Sequence, residues 1–518
     1  MPDGLPHATL RPSEILAGKR LLFVGCTGFV GKVALSMLLH RFRNLGKLHL
    51  LVRAPVSLSA EQRFYRKIVP SPAMDPLREA YGDGLERHLR GFVSVWEGDV
   101  TRPSLGLTEE ALARLDGQID VVINCAGLVS FNPPLDQALN VNSVGVKHLA
   151  DVARRVGAAV VHVSTCFVAG ERSGEIWEDE PILGAFPKQA ASAQHPVGWA
   201  AAAPTGCRDI REGKSDFSPD REIEDGKRAI QEVRAHAVDQ ACTARFRESA
   251  AARLLEEGGS PDDERALTVA TARERKIWSA EELRKLGDAR SRHWGWPNAY
   301  CYSKALGEQV LVASGVRHAI VRPAIVESAV AYPVPGWNEG FTTSAPLVFA
   351  SLKGHRPFPS GPGVILDVIP VDMVAAGLLA VTAATAAGEQ EQVYQLGSGD
   401  SNPLTVEHTI ELVGIYKRRH FRERETGNAL VNRLRSRMES IPVSKVRFLR
   451  ETGIVGKALD GARQALDAMA PRWGAPRLMR CWRRARSPAR SKSRWGAPDL
   501  MCRRTASRAI SGSDEGGA

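Results

Sequence analysis

The apolar positions of this chain fall into short unbroken runs, separated by longer segments with helical spacing. Leu21 to Val24 is the first run; it opens on Gly25, and glycine returns at Gly28 and Gly31 before the apolar-periodic segment Val33 to Leu39. Lys47 to Val52, Phe92 to Trp96, Asp120 to Ile123, Ala159 to Val163, Ala319 to Val321 and Val393 to Leu396 repeat the pattern. Runs without polar alternation mark strands covered on both faces, as in parallel sheets. Residues 54 to 90 read as helical and charged, and Asn142 lies early in a further helix, VNSVGVKHLADVA. Strand and helix alternating at this rhythm predict an α/β protein with a Rossmann-type doubly wound parallel sheet and right-handed crossovers.

The rhythm stops between Gly170 and His293, where the chain is polar and rich in Ala, Arg and Glu. This stretch, about 171–293, reads as a helical insertion capping the substrate opening. The turn-like pieces KSDFSPDREIEDG and EEGGSPDD flank a helix in which Ile230, Val233, Ala237 and Ala241 share a face. A mobile surface excursion is the alternative for its most charged part. From Thr405 helical spacing returns in VEHTIELVGIYKRRHF, VNRLRSRMESI and LDGARQALDAMA, a small C-terminal helical domain. The expected organisation is an extension over 1–19, a nucleotide-binding domain over 20–400, a helical region over 401–470 and a tail over 471–518.

Composition changes the picture in one place. At 518 residues, with 43% hydrophobic and 25% charged, the chain reads as globular and soluble, but its net charge of +11 invites a nucleic-acid partner. Residues 472 to 518 hold 12 Lys/Arg against 3 Asp/Glu, which leaves +2 for everything before them. The basicity therefore belongs to the tail, and no specific nucleic acid is expected. Within the tail RWGAPRLM recurs as RWGAPDLM; two copies of eight residues cannot build a solenoid, and disorder is expected. The eight cysteines include no CxxC pair and no metal-ligand cluster, which fits a reduced, cytoplasmic setting without a metal. The N-terminus lacks the cationic start and apolar core of a signal peptide. The most apolar long stretch, Val364 to Ala387, is interrupted by Asp367 and Asp372, so no transmembrane segment is expected.

Chemistry gathers at the predicted strand ends. The glycine turn, in the form GxxGxxG, lets the backbone approach a diphosphate while the following helix offers its free N–H groups. Arg53 closes the second strand where a carboxylate would bind a ribose 2′-hydroxyl, so a 2′-phosphate and hence NADP(H) is expected. Gly98-Asp99-Val100 follows the third strand, Asn124-Cys125-Ala126-Gly127 the fourth, Ser164-Thr165 the fifth and Arg322-Pro323 the sixth. In WGWPNAYCYSKALGE, Tyr300 and Lys304 are one helical turn apart, so both lie on one face and the ammonium favours the phenolate. Cys166 and Cys301 adjoin these residues, yet neighbours on a strand or helix point elsewhere, and buried cysteine is a common core filler.

These motifs carry a resemblance. GCTGFVGK, HVSTCFVAG, GWPNAYCYSKALGE, IVRPAIVES, PGWNEG and PVDMVAAG, spread over roughly residues 20 to 420, resemble the male sterility group of fatty acyl-CoA reductases within the extended short-chain dehydrogenases/reductases. The resemblance implies a Thr165, Tyr300, Lys304 triad, with Gly25, Thr27, Gly28, Phe29, Val30, Gly31 and Arg53 on NADPH. It further implies Asp99 and Val100 beside the adenine, Ala126 and Pro323 against the cofactor, and Lys304 on the nicotinamide ribose. The reaction implied is reduction of a fatty acyl-CoA thioester to aldehyde or alcohol by hydride transfer, with Tyr300 donating the proton. The segment 333–352 and the cap are expected to line the acyl chain's path, and peripheral membrane contact stays open. The rival readings are a reductase of carrier-bound acyl thioesters, a sugar-nucleotide or sterol dehydrogenase on the same scaffold, and an NADP-binding regulator without chemistry. The Asn124–Gly127 motif and the short C-terminal helical region depart from the group's usual pattern.

Overall fold

The protein is seen in a computed structural model that describes residues 10–172, 175–188, 217–340, 345–361, 363–423, 428–444, 446–448 and 450. Seven parallel strands form the central sheet: β1 (Arg20–Val24), β2 (Lys47–Val52), β3 (Val93–Glu97), β4 (Val121–Asn124), β5 (Ala159–Val163), β6 (His318–Pro323) and β7 (Val393–Leu396). Their order is 3-2-1-4-5-6-7, so the winding reverses between β1 and β4. This is the doubly wound sheet expected, and the crevice at the reversal point lies beyond the C-terminal ends of β1 and β4.

Alternation along each strand divides the core in two. Leu21, Phe23, Val121, Ile123, Val161, Ala319 and Val321 pack on one face, where α1 (Phe29–Arg41) supplies Val33, Leu35 and Leu38. The residues between them, Leu22, Val24, Val122, Val160 and Ile320, face the other layer with Val146 and Leu149 of α2 (Gly145–Arg155). Both sets are almost wholly buried, so a one-residue register slip would exchange them. Parallel registers such as Leu21 on Leu48 and Leu21 on Val121 hold the strand ends level at the crevice.

The insertion contains three helices among its described residues: α3 (Pro219–His236), α4 (Gln240–Glu257) and α5 (Glu264–Trp294). Two local expectations need correction. Residues read as a turn in KSDFSPDREIEDG start α3 at Pro219, a residue suited to the first helical turn, and Gly226 lies inside that helix. A Cβ at Gly226 would stand 2.8 Å from a methyl of Leu139, so the glycine serves close packing and does not end the helix. Ala241, expected to share a face with Ile230, Val233 and Ala237, is exposed because the helix ends at His236 and a new one begins at Gln240.

α6 (Ala299–Ala313) carries Tyr300 and Lys304, and α7 (Val371–Ala387) packs against the α1 face. Residues 54 to 90, read as helical, form a broken series of short helices between Ala60 and Phe92. Among the described residues no helix is long and apolar enough to cross a membrane. The expected C-terminal helices are present as α8 (Val406–Glu423) and a shorter one at Ala429–Arg437. The third predicted helix there, at 459–470, and the tail lie outside the described residues. The chain divides into two compact units, residues 1–356 with 362–441 and residues 357–361 with 442–518; everything below concerns the first.

Candidate active site

Gly25 leaves β1 with φ of +87°, and a Cβ there would lie 2.3 Å from the amide nitrogen of Ala126. One at Gly31 would lie 2.2 Å from the carbonyl of Gly25. Those two glycines let the β1 turn, the β4 loop and α1 touch. Gly28 differs: it is exposed, its nearest neighbour would be 3.6 Å away, and no side chain caps α1 there. The first-turn N–H groups of α1 are thus left without a capping side chain, as an anion-binding helix start requires.

At the mouth of β2 the Arg53 side chain is 69% exposed, and Arg63 donates to the Arg53 carbonyl at 2.6 Å. Two guanidinium groups therefore share this strand end, where the sequence singled out one. Asp99 approaches Arg53 at 3.9 Å, but its other oxygen is held by the Thr101 amide at 2.9 Å and hydroxyl at 2.8 Å. Val100 is half-buried, and its carbonyl meets His148 Nδ1 at 3.0 Å. Asn124 turns back to accept from the Ala126 amide at 3.0 Å, leaving Ala126 and Gly127 along the crevice wall.

Three side chains converge at the end of β5. Thr165 is 4% exposed; its hydroxyl is within reach of the Pro323 carbonyl at 3.4 Å, accepts from the Phe167 amide and lies close enough to the Tyr300 phenol to favour its anion. Lys304 is equally buried and donates to the Val163 carbonyl at 2.9 Å. A Cβ at Gly127 would stand only 2.8 Å from its Nζ, so glycine makes room for the ammonium. Ser164, between those contacts, has a buried hydroxyl oxygen without a protein partner, as expected beside a polar ligand.

One electrostatic expectation is corrected. Lys304 does not make Tyr300 acidic here: burial pushes the phenol up to about 12, and only the neighbouring Thr165 hydroxyl opposes that rise. Burial also lowers the Lys304 ammonium to about 8. Spacing on one helix face brings the two residues to the same strand end, but the ammonium goes to a carbonyl of β5. Burial likewise pushes the thiols of Cys166 and Cys301 up to about 12, so neither is a thiolate at neutral pH.

Several residues that position the site had no role in the sequence reading. Asn298 caps α6 by accepting from the Cys301 amide at 3.0 Å, and the Trp296 indole donates to the Val168 carbonyl at 2.8 Å. Asn directly before an apolar-periodic run is a helix-start signal and could have been read. Asn142 binds both the N–H and the carbonyl of Leu128 and the hydroxyl of Ser303 at 2.8, 3.1 and 3.0 Å. Phe131 meets the Tyr300 ring edge-on at 6.0 Å, yet is 58% exposed; nearby in sequence Val129 is 64% exposed, and Phe167, two residues after Thr165, 44%.

The segment after β6 is fastened along α1. Trp337 stacks on Phe29 at 5.3 Å, Glu339 pairs with Lys32 at 2.5 Å, and the Tyr332 hydroxyl meets Ser36 at 2.8 Å. Asp372 anchors the start of this segment by accepting from the amides of Val330, Ala331 and Tyr332.

With this geometry in hand, the comparison with known proteins is decisive: the profile of the male sterility protein family matches residues 23–378. The chain belongs to that family. As a male sterility family member it is a nicotinamide-dependent oxidoreductase of the short-chain reductase type. The alcohol-forming fatty acyl-CoA reductase of Simmondsia chinensis is 29% identical over 413 residues, covering 78% of this chain and 71% of its own. Fatty acyl-CoA reductase 1 of Arabidopsis thaliana is 26% identical over 400 residues, covering 76% and 69%. Among solved structures, the terminal R domain of the myxalamid biosynthetic pathway aligns with a TM-score of 0.48 and 17% identity, over 85% of this chain and 76% of that one.

The residues present fit a nicotinamide dinucleotide. The uncapped helix start at Gly28, the orphan Ser164 hydroxyl and the buried Lys304 ammonium line one crevice at the topological reversal.

Proposed function

We propose that the protein reduces long-chain fatty acyl-CoA thioesters with NADPH, to the aldehyde and onward to the alcohol, and that it works in the cytoplasm. The observation that carries this reading is the convergence of Thr165, Tyr300 and Lys304 at the end of β5, where the Lys304 ammonium donates to the Val163 carbonyl at 2.9 Å and the Thr165 hydroxyl neighbours the Tyr300 phenol. The cofactor supplies hydride. Thr165 and Tyr300 present two hydroxyls to one oxygen, which is where negative charge develops when a carbonyl accepts hydride. Tyr300 then donates its proton; a phenol held at about 12 is fully protonated at neutral pH and competent as an acid. Collapse of the resulting hemithioacetal releases the CoA thiol, and no enzyme thiolate takes part.

Preference for NADPH follows from Arg53 and Arg63 at the β2 mouth, where two guanidinium groups match a phosphate better than a ribose hydroxyl. Gly25, Thr27, Gly28, Phe29, Val30 and Gly31 cradle the diphosphate in this reading, Asp99 and Val100 lie beside the adenine, and Ala126 and Pro323 lie against the cofactor, Pro323 at its reacting end next to Thr165. The half-exposed rings of Phe131 and Phe167 offer an apolar start to the acyl path. Purified protein given palmitoyl-CoA and NADPH tests the proposal: NADPH absorbance falls and gas chromatography finds aldehyde or alcohol. Tyr300→Phe lowers turnover by about 10²- to 10⁴-fold while still binding NADPH. Turnover of carrier-bound acyl groups alone, with free acyl-CoA untouched, would transfer the assignment to the carrier-dependent reaction.

A further inference from the structure

Away from the reacting groups, one buried cluster joins the insertion to the helix that carries Tyr300. Glu222 of α3 is 5% exposed, Arg290 of α5 is 3% exposed and Tyr302 of α6 is fully buried. Arg290 reaches the carboxylate through Nε at 3.0 Å and Nη2 at 2.8 Å, and the Tyr302 hydroxyl donates to the same Oε1 at 2.6 Å. α5 and α6 are consecutive helices that meet at Gly295, whose φ of +99° turns the corner. A single carboxylate thus grips both arms of that corner.

The position of Tyr302 gives the grip its meaning. Successive side chains on an α-helix are about 100° apart, so Tyr302 points roughly opposite to Tyr300. Holding the back of the helix fixes its roll, and the roll sets where the Tyr300 hydroxyl lies relative to Thr165. Trp296 strengthens the same corner: its ring packs on Tyr302 at 5.7 Å, and its indole is bonded to the turn that follows Thr165. The surroundings are apolar, with Leu135, Leu139, Phe217, Ile223 and Leu283 in the same cluster. A buried ion pair in such a place adds little net stability over a well-packed apolar trio, whereas it does add direction.

We propose that Glu222, through Arg290 and Tyr302, is a positioning residue for proton transfer, and that the inserted helices set the alignment of Tyr300 with Thr165 as well as covering the site. This rests on the reductase reading above. The test uses the full-length protein with palmitoyl-CoA and NADPH, and compares wild type with Tyr302→Phe and Glu222→Gln. Rates are expressed per NADPH-binding site, so that any inactive fraction is removed. In both variants kcat falls at least tenfold, NADPH affinity and the KM for palmitoyl-CoA stay within about twofold, and the solvent deuterium isotope effect on kcat rises because the proton step becomes slower. A displacement near 1 Å is enough for such a loss.

Unchanged kcat and isotope effect in either folded variant would overturn the proposal. A lowered Tm with normal kcat per site, or loss of NADPH binding in both variants, would overturn it too, since the cluster would then serve the folding core alone. Wild-type protein that leaves palmitoyl-CoA untouched would instead remove the reductase reading, and that outcome is separate from any difference between variants.

Discussion

Lys304 shows how far burial can work against a charge that chemistry needs. Its amine, lowered to about 8, is a cation below that pH and neutral above it. If the cation orients the nicotinamide ribose, kcat/KM, which reports the free enzyme, holds on the acid side and falls as pH rises through about 8. Lys304→Met gives a lower rate without that alkaline limb; a limb that persists in the variant would belong to another group. The cysteines supply a second prediction at this scale. With both thiols neutral, and with Cys166 Sγ 2.9 Å from the Arg322 carbonyl, neither is placed or charged to attack a thioester. The double variant Cys166→Ala with Cys301→Ala therefore keeps activity within about threefold, whereas a covalent acyl route would lose it. Tyr300 and Lys304 were legible as a pair because they stand one helical turn apart, whereas Thr165 joined them only through the predicted strand end and the family resemblance. Their electrostatics were not legible, since burial depends on what packs around them and no local pattern carries that.

At the scale of elements, the strands of the parallel sheet were readable from continuous apolar runs, down to exact ends for β2, β5 and β7. Gly226 and Ala241 escaped for opposite reasons. One glycine inside a helix answers to a distant leucine, and one helix break falls inside an apolar repeat that continues across it. Glu308 and Arg322 were also beyond sequence reading, because α6 and β6 meet only after folding. Their side chains, 2% and 10% exposed, form a two-pronged pair at 3.0 and 2.6 Å that locks the catalytic helix onto β6. Glu308→Gln leaves the guanidinium buried with its countercharge gone, and a loss of about 3–5 kcal/mol in chemical denaturation is expected. A change below about 1 kcal/mol would mean that water reaches Arg322.

For the whole molecule, charge is partitioned more sharply than mass. Residues 472–518 hold +9 of the net +11, so the remainder meets its ligands nearly neutral. Removing that stretch should strip the protein of its affinity for a cation exchanger or heparin and leave the turnover of palmitoyl-CoA unchanged. A fall in turnover would give the tail a part in substrate capture. The insertion, by contrast, was visible in the sequence as a helical interruption of the strand rhythm, but not in how it is tied down. Its tie to the α5–α6 corner depends on Glu222, which sits in a stretch whose charge pattern resembles any solvated face.

Tyr332 to Glu339 is bolted to α1 by a ring stack, an ion pair and a hydroxyl contact on successive turns. Three contacts along one helix couple this segment to the glycine end of α1. Loading with NADPH accordingly slows deuterium uptake at 329–339 as well as at 25–31. Slowing confined to the glycine turn would show that the contacts slip, and that the coenzyme's arrival goes unannounced on the far side.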